Sequence, residues 1–116
     1  SGERDVPILE WSQGFMAPNL AEDEMLTDIT VATWPARHVY GFAELARRKG
    51  DFALAGAAVL LDFDGEVISR AALALMGVEV GPVRMIDAEN LLVGERPSEE
   101  LFREAAEHAT VVAGYR

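Results

Sequence analysis

Cysteine is absent from the 116 residues. That excludes disulfides, thiolate zinc sites and cysteine-ligated iron–sulfur clusters within this chain. Histidine is nearly absent as well, at two residues, His38 and His108. No HxH, HExxH or carboxylate cluster has metal-ligand spacing, so no metal site is expected. The ten glycines are scattered and form neither G-x-G-x-x-G nor any other phosphate-cradling loop. Ser12, Ser69 and Ser98 all lack the G-x-S-x-G setting of an activated nucleophile. No run is long enough to span a bilayer and nothing resembles a signal peptide, which makes the cytoplasm the simplest location. Basic residues are scarce: ten against twenty acidic, a net charge of −10. A field of that sign disfavours nucleic acid and anionic membrane as partners.

What is present is enough for one core. Half of the residues are hydrophobic, in an Ala-rich rather than Leu-rich middle, and the length suits a single domain over 1–116. Ile8 to Met16 is apolar but too short and irregular to assign. In Leu26 to Val31 the apolar Leu26, Ile29 and Val31 are interspersed with Thr27, Asp28 and Thr30, which predicts a half-buried strand closed by Trp34-Pro35. Val39 to Arg48 fits a strand through Tyr40, Phe42 and Glu44, or a helix through Ala43, Leu45, Ala46 and Arg47. Phe52 to Leu61 is a small apolar run ending in Asp62-Phe63-Asp64-Gly65, a hairpin signal because glycine accepts the positive φ of the turn. Val67 to Val78 returns as the partner strand, with apolar residues at alternate and intervening positions, so both its faces should be covered. Asp87 is placed to cap a short helix through Leu91, Leu92 and Val93, with Gly94 as its stop. Pro97-Ser98-Glu99-Glu100 starts a last helix, about 98–109, whose apolar stripe is Leu101, Phe102, Ala105, Ala106 and Ala109. Strands first and helices last predict an α+β fold: an antiparallel sheet of about four strands with two or three helices on one face.

The stretch Arg47-Arg48-Lys49-Gly50-Asp51-Phe52-Ala53-Leu54-Ala55 is the most informative. A basic cluster, a Gly-Asp break and a small apolar run read as a charged element end, a turn and a buried strand. Tyr40, Phe42, Arg47, Arg48, Lys49 and Asp51 combine aromatic and basic groups. Such groups can cover a flat, electron-accepting ring, and can equally form a surface ion-pair cluster beside a core aromatic pair. His38, Tyr40, Glu44 and Asp51 are the groups that could supply acid–base chemistry. His108, four residues after Glu104 on the last helix, reads as an exposed helical pair. Asp62 and Asp64 flank the hairpin tip and read as turn residues rather than calcium ligands.

Taken in order, several segments resemble the C-terminal domain of the FAD-binding subunit of molybdenum hydroxylases. This is the family of carbon monoxide dehydrogenase medium subunits and the flavin portion of xanthine dehydrogenase. The resemblance runs through Gly14, Leu20, Asp23-Glu24, Leu26-Thr27 and Ile29–Val31. It continues with Tyr40-Gly41-Phe42, Leu45, Arg47-Arg48 and Gly50-Asp51-Phe52-Ala53-Leu54-Ala55. It closes with Ala74-Leu75, Gly77-Val78, Pro82-Val83-Arg84, Asp87-Ala88-Glu89 and Leu91-Leu92, covering about residues 10–94. The R-R-x-G-D-F-A core is its most specific part. The chain departs from the family at Met76, where glycine is common, and at Ala72, where a basic residue is frequent.

The resemblance implies a redox role in which the chemistry belongs to FAD. Two preceding flavin-binding subdomains grip that cofactor with glycine-rich segments. This domain encloses the isoalloxazine side and contributes to contacts with iron–sulfur and molybdopterin subunits. Tyr40, Phe42, Arg47, Arg48 and Asp51 are the positions it brings nearest the flavin. The glycine-rich segments have no counterpart here, so the chain alone is not expected to hold FAD tightly. Three readings follow: a domain or fragment of a larger FAD subunit, with Ser1-Gly2 a tag remnant; a flavin-free binding or assembly module that packs on its own helices or on a second copy; or a small cofactorless isomerase or cyclase. The first predicts an exposed apolar surface where the flavin subdomains dock.

Overall fold

In the computed structural model residues 2–79 and 81–112 are described. The N-terminal part holds one helical turn, α1 (Ile8–Trp11), and a small ribbon, β1 (Ser12–Gly14) with β2 (Ala17–Pro18). The main sheet is antiparallel, with β3 (Val39–Ala46), β4 (Ala53–Asp64), β5 (Val67–Met76) and β6 (Val83–Arg84) side by side in chain order. Two helices follow, α2 (Ile86–Leu92) and α3 (Glu99–Val112). This is the α+β architecture expected from the sequence.

The ambiguous segment at Val39 is a strand because its β-branched and aromatic residues find a partner. Val39 pairs with Leu61, Gly41 with Val59 and Ala43 with Ala57. A turn at Arg48–Asp51 joins β3 to β4, with the Asp51 N–H donating to the Arg48 carbonyl at 3.1 Å. Gly50 sits there at φ +83°, the third-position conformation that a type II turn demands. The next hairpin closes over Gly65-Glu66, between the Asp64–Val67 pair. Gly65 has φ +65° and is the first central residue, as type II′ turns require.

Register fixes two faces. Val39, Gly41, Ala43, Val59, Leu61, Ala71 and Leu73 share the inner face with the helices. A bulge between Asp62 and Phe63 then brings Phe63 opposite Ile68, which is fully buried. The core is Leu61, Ile68, Ala71, Met85, Ala88, Leu92, Ala105 and Ala109. Alanines 105 and 109 lie on one stripe of α3 and let it approach closely, whereas Phe102 and Ala106 on the same helix stay exposed. Ser98 Oγ accepts the Leu101 N–H at 3.1 Å, an N-cap bond at the helix start the sequence predicts. The end of α2 is tied to β5 by Gly94 N–H to Ile68 O (2.8 Å) and Ile68 N–H to Glu95 O (2.9 Å).

Four expectations are corrected. Leu26–Val31 forms no strand: it runs extended with no partner, and Ile29 and Val31 are each 78% exposed. The fourth strand is β6 instead, because no edge among the described residues lies beside the earlier segment. Asp87 does not cap α2. The N-cap is Met85, without a side-chain bond, and Asp87 lies inside the first turn. The hairpin β4–β5 is covered by the chain on one face only, since both helices lie on the inner side and just the Trp34–His38 region reaches the outer one. Asp62 is no turn residue but a buried side chain paired with Arg37. The extended segment also explains the radius of gyration, 16.7 Å against about 13 Å for a compact chain of this length.

Candidate cofactor-facing surface

Alternation along β3 sends Tyr40, Phe42 and Glu44 to the outer face. Their neighbours across β4 are Leu60, Ala58 and Gly56, which rise too little to cover them. Tyr40 is therefore 79% and Phe42 58% exposed, an aromatic pair without an aromatic partner among the described residues.

Arg47, Arg48 and Asp51 lie at the far end of the strand, around the turn. Arg48 Nε is 3.7 Å from Asp51 Oδ2, and Asp51 Oδ1 accepts the Phe52 N–H at 2.8 Å. Part of the sequence cluster is thus an ion pair on the surface. About 23 Å of strand separates Tyr40 from Arg47, so the aromatic pair and the basic turn form two patches along one edge.

His38 stands at the opposite end, where its Nδ1 is 2.7 Å from the Pro35 carbonyl and its ring meets Trp34 edge-on. The inner side holds an open groove of about 570 Å³ between α3 and the β3–β4 half of the sheet. Phe63, Phe102, Ala106, Val59 and Ala57 line it, and of His38, Tyr40, Glu44 and Asp51 only Tyr40 reaches it. Its walls are apolar, with no carboxylate or imidazole placed to move a proton.

FAD asks for a flat wall and for converging N–H groups at its pyrophosphate. The exposed Tyr40 and Phe42 fit the wall. The glycines do not make the cradle: a Cβ at Gly77 would stand 2.4 Å from the Leu54 carbonyl, and one at Gly56 2.9 Å from Met76, so both are packed. Gly50, Gly65 and Gly94 each occupy a separate turn. Among the described residues the fit is to the ring and not to the phosphates. No group of acidic and histidine side chains there could hold a metal, and no helix is long and apolar enough to cross a membrane.

Sequence reasoning missed a second outer-face cluster. Arg70 Cζ sits 3.9 Å from the Trp34 ring centroid, and Arg37 Nε lies 3.2 Å from Asp62 Oδ1. These pairs span 25 or more positions in the chain, beyond any periodicity; the Asp62–Arg70 register across the hairpin was the one signal available.

Residues 40–112 match the family described as CO dehydrogenase flavoprotein C-terminal domain. The caffeine dehydrogenase subunit beta of Pseudomonas sp. (strain CBB1) is 36% identical over 101 residues, 86% of this chain and 34% of that protein. Among solved structures, a carbon monoxide dehydrogenase from Hydrogenophaga pseudoflava lacking the Mo-pyranopterin moiety superposes with a TM-score of 0.83 at 30% identity. That match covers 94% of this chain and 38% of the other. Quinoline 2-oxidoreductase from Pseudomonas putida 86 gives 0.73 at 35% identity, over 87% of this chain and 35% of the other. The chain spans about a third of the length of these relatives.

Proposed function

Since the chain belongs to the CO dehydrogenase flavoprotein C-terminal domain family, a domain of the FAD-binding subunit of molybdenum hydroxylases, we propose that it closes the flavin side of such a subunit. In that role it supports electron transfer between iron–sulfur clusters and an external acceptor. FAD supplies the redox chemistry when bound. Tyr40 and Phe42 offer a wall for its ring, and Arg47 and Arg48, with Asp51 orienting Arg48, bring positive charge to the rim. The pyrophosphate is gripped by residues of the preceding subdomains. Iron–sulfur and molybdopterin subunits are the further partners, and the cytoplasm the compartment.

The observation that carries this reading is the Leu26–Val31 segment. This extended stretch, with Leu26 50% and Ile29 and Val31 78% exposed, buries little against the described residues, yet Ile29 and Val31 alternate with polar residues as on one face of a half-buried strand. It supports docking onto a sheet edge of the flavin subdomains.

Native mass spectrometry of the protein from its own source tests it. A longer chain carrying FAD, with iron–sulfur and molybdenum subunits co-purifying, is the expected result. A flavin-free species of this length, alone or self-associated, would end the electron-transfer reading.

A further inference from the structure

Of residues 25–37, Trp34 alone is not exposed. The cation–π contact and the ion pair that this stretch makes with the sheet both fall at one spot on the outer face. The Arg70 guanidinium lies over the Trp34 ring at 3.9 Å, within the range of a cation–π contact. Arg70 is the cross-strand neighbour of Asp62, and Asp62, 6% exposed, receives Arg37 at 3.2 Å. Between the two anchors Pro35 makes the chain turn, with His38 N–H and Nδ1 both on its carbonyl at 3.0 and 2.7 Å. The bulge after Asp62 lies next to this contact, where the ladder is already bent.

From this geometry we propose that Trp34, Arg37, Asp62 and Arg70 form a latch that positions the Leu26–Val31 segment relative to the sheet. The latch stands between the segment and β3, so it sets the direction in which the extended segment runs relative to the sheet. Two strand residues, Asp62 and Arg70, hold two residues of the incoming chain, Arg37 and Trp34, by an ion pair and a cation–π contact. One contact fixes a point; two, on neighbouring strands, also fix an orientation. These are positioning residues: they touch no cofactor in this arrangement and act through the segment they hold. The consequence for the flavin rests on the reading above, that Leu26–Val31 docks onto the preceding subdomains.

The lack of cysteine makes a direct test simple. Spin labels at Thr30→Cys and Glu107→Cys report the distance between the free segment and α3. Trp34→Ala and Arg70→Ala should at least double the width of that distance distribution, while circular dichroism and the melting temperature of the sheet stay close to the parent. Arg37→Ala, on an exposed side chain, gives the same readout if Arg70→Ala disturbs the hairpin. An unchanged distribution in Trp34→Ala and Arg37→Ala overturns the latch. In the longer FAD-carrying subunit, the same substitutions should lower FAD retention several-fold. Full retention despite a broadened segment would overturn the positioning role. A parent subunit that holds no FAD would instead sink the functional reading, and the distance measurement would still decide the latch.

Discussion

Glu89 Oε1 lies 2.6 Å from Arg84 Nε and 2.8 Å from the amide nitrogen of Leu73, so one buried carboxylate joins α2 to both β5 and β6. Its second oxygen takes Arg84 Nη2 at 2.9 Å, completing a bidentate pair. The bond to Glu89 raises the Arg84 pKa above its usual value. Strand β6 has only two residues, and this carboxylate adds a side-chain tie to the short backbone ladder that pairs it with β5.

Glu89→Ala should therefore destabilise the domain by about 2–3 kcal/mol, since it leaves the Leu73 N–H buried without an acceptor. The side chain of Arg84 is 42% exposed and can turn to water, which keeps the cost below that of a fully buried pair. Glu89→Gln should lose less, because an amide oxygen can still accept from Leu73. Urea denaturation with an unchanged slope would measure both.

Two glycines predict unequal losses. Gly77 has φ +83°, and a Cβ there would stand 2.4 Å from a backbone carbonyl that cannot step aside. Gly77→Ala should cost at least about 2 kcal/mol through the left-handed backbone and the clash together. Gly56 has ordinary φ, and its would-be Cβ meets only the Met76 side chain, at Cγ and Sδ, which can turn about χ1 where a backbone carbonyl cannot. Gly56→Ala should cost about 1 kcal/mol or less, as Met76 shifts rotamer. Parallel thermal melts separate the two; equal losses would contradict the close approach at Gly77.

Near the N-terminus, Arg4 makes a bidentate pair with Glu24 and also reaches the Asn19 carbonyl at 2.9 Å. The Arg4 hydrogen bond, helped by the Ala21 N–H, lowers the Glu24 pKa to about 2. A depressed carboxylate stabilises fully above its unfolded value, about 4.3, and its contribution fades as the pH falls toward 2. The amide resonance of Ala21 should thus hold its position at pH 5 and move between about pH 4 and 2. Movement centred at pH 4.3 or above would mean that the pair does not form.

How much of this was legible beforehand depended on sequence distance. The Asp64-Gly65 hairpin, the Gly50-Asp51 turn and the Ser98 cap are local, and each was readable because the backbone needs a particular residue there. Val39–Ala46 could not be decided locally. Its strand state depends on β4, whose small residues pair with it across the whole length. Leu26–Val31 shows the reverse case: its mix of apolar and polar residues reads as a half-buried strand, but a strand also needs a neighbouring edge, and none among the described residues lies beside it. At the candidate surface the sequence left Tyr40 and Phe42 open between a ring-covering pair and a core pair, and only the strand register turns them outward; Trp34 on Arg70 and Arg37 on Asp62 likewise required the fold.

Ile29→Lys should be silent in the isolated chain, within about 0.5 kcal/mol, since the side chain touches little. In the longer subunit the same change should expel FAD or prevent the subunit from assembling, because a lysine would have to enter a buried strand face. Chain stability and flavin content measured side by side check this. A clear loss of stability in the isolated chain would mean that Ile29 already has a partner.

The sheet runs β3-β4-β5-β6 without a crossover, and the helices that cover it come directly afterwards. Each pairing closes a short loop, so little chain entropy is lost before the contact forms. Topologies of this kind fold quickly. The described elements from β3 to α3 can reach their native state without waiting for distant sequence, and in the larger FAD subunit proposed above a slow maturation step should lie in docking rather than in folding this unit.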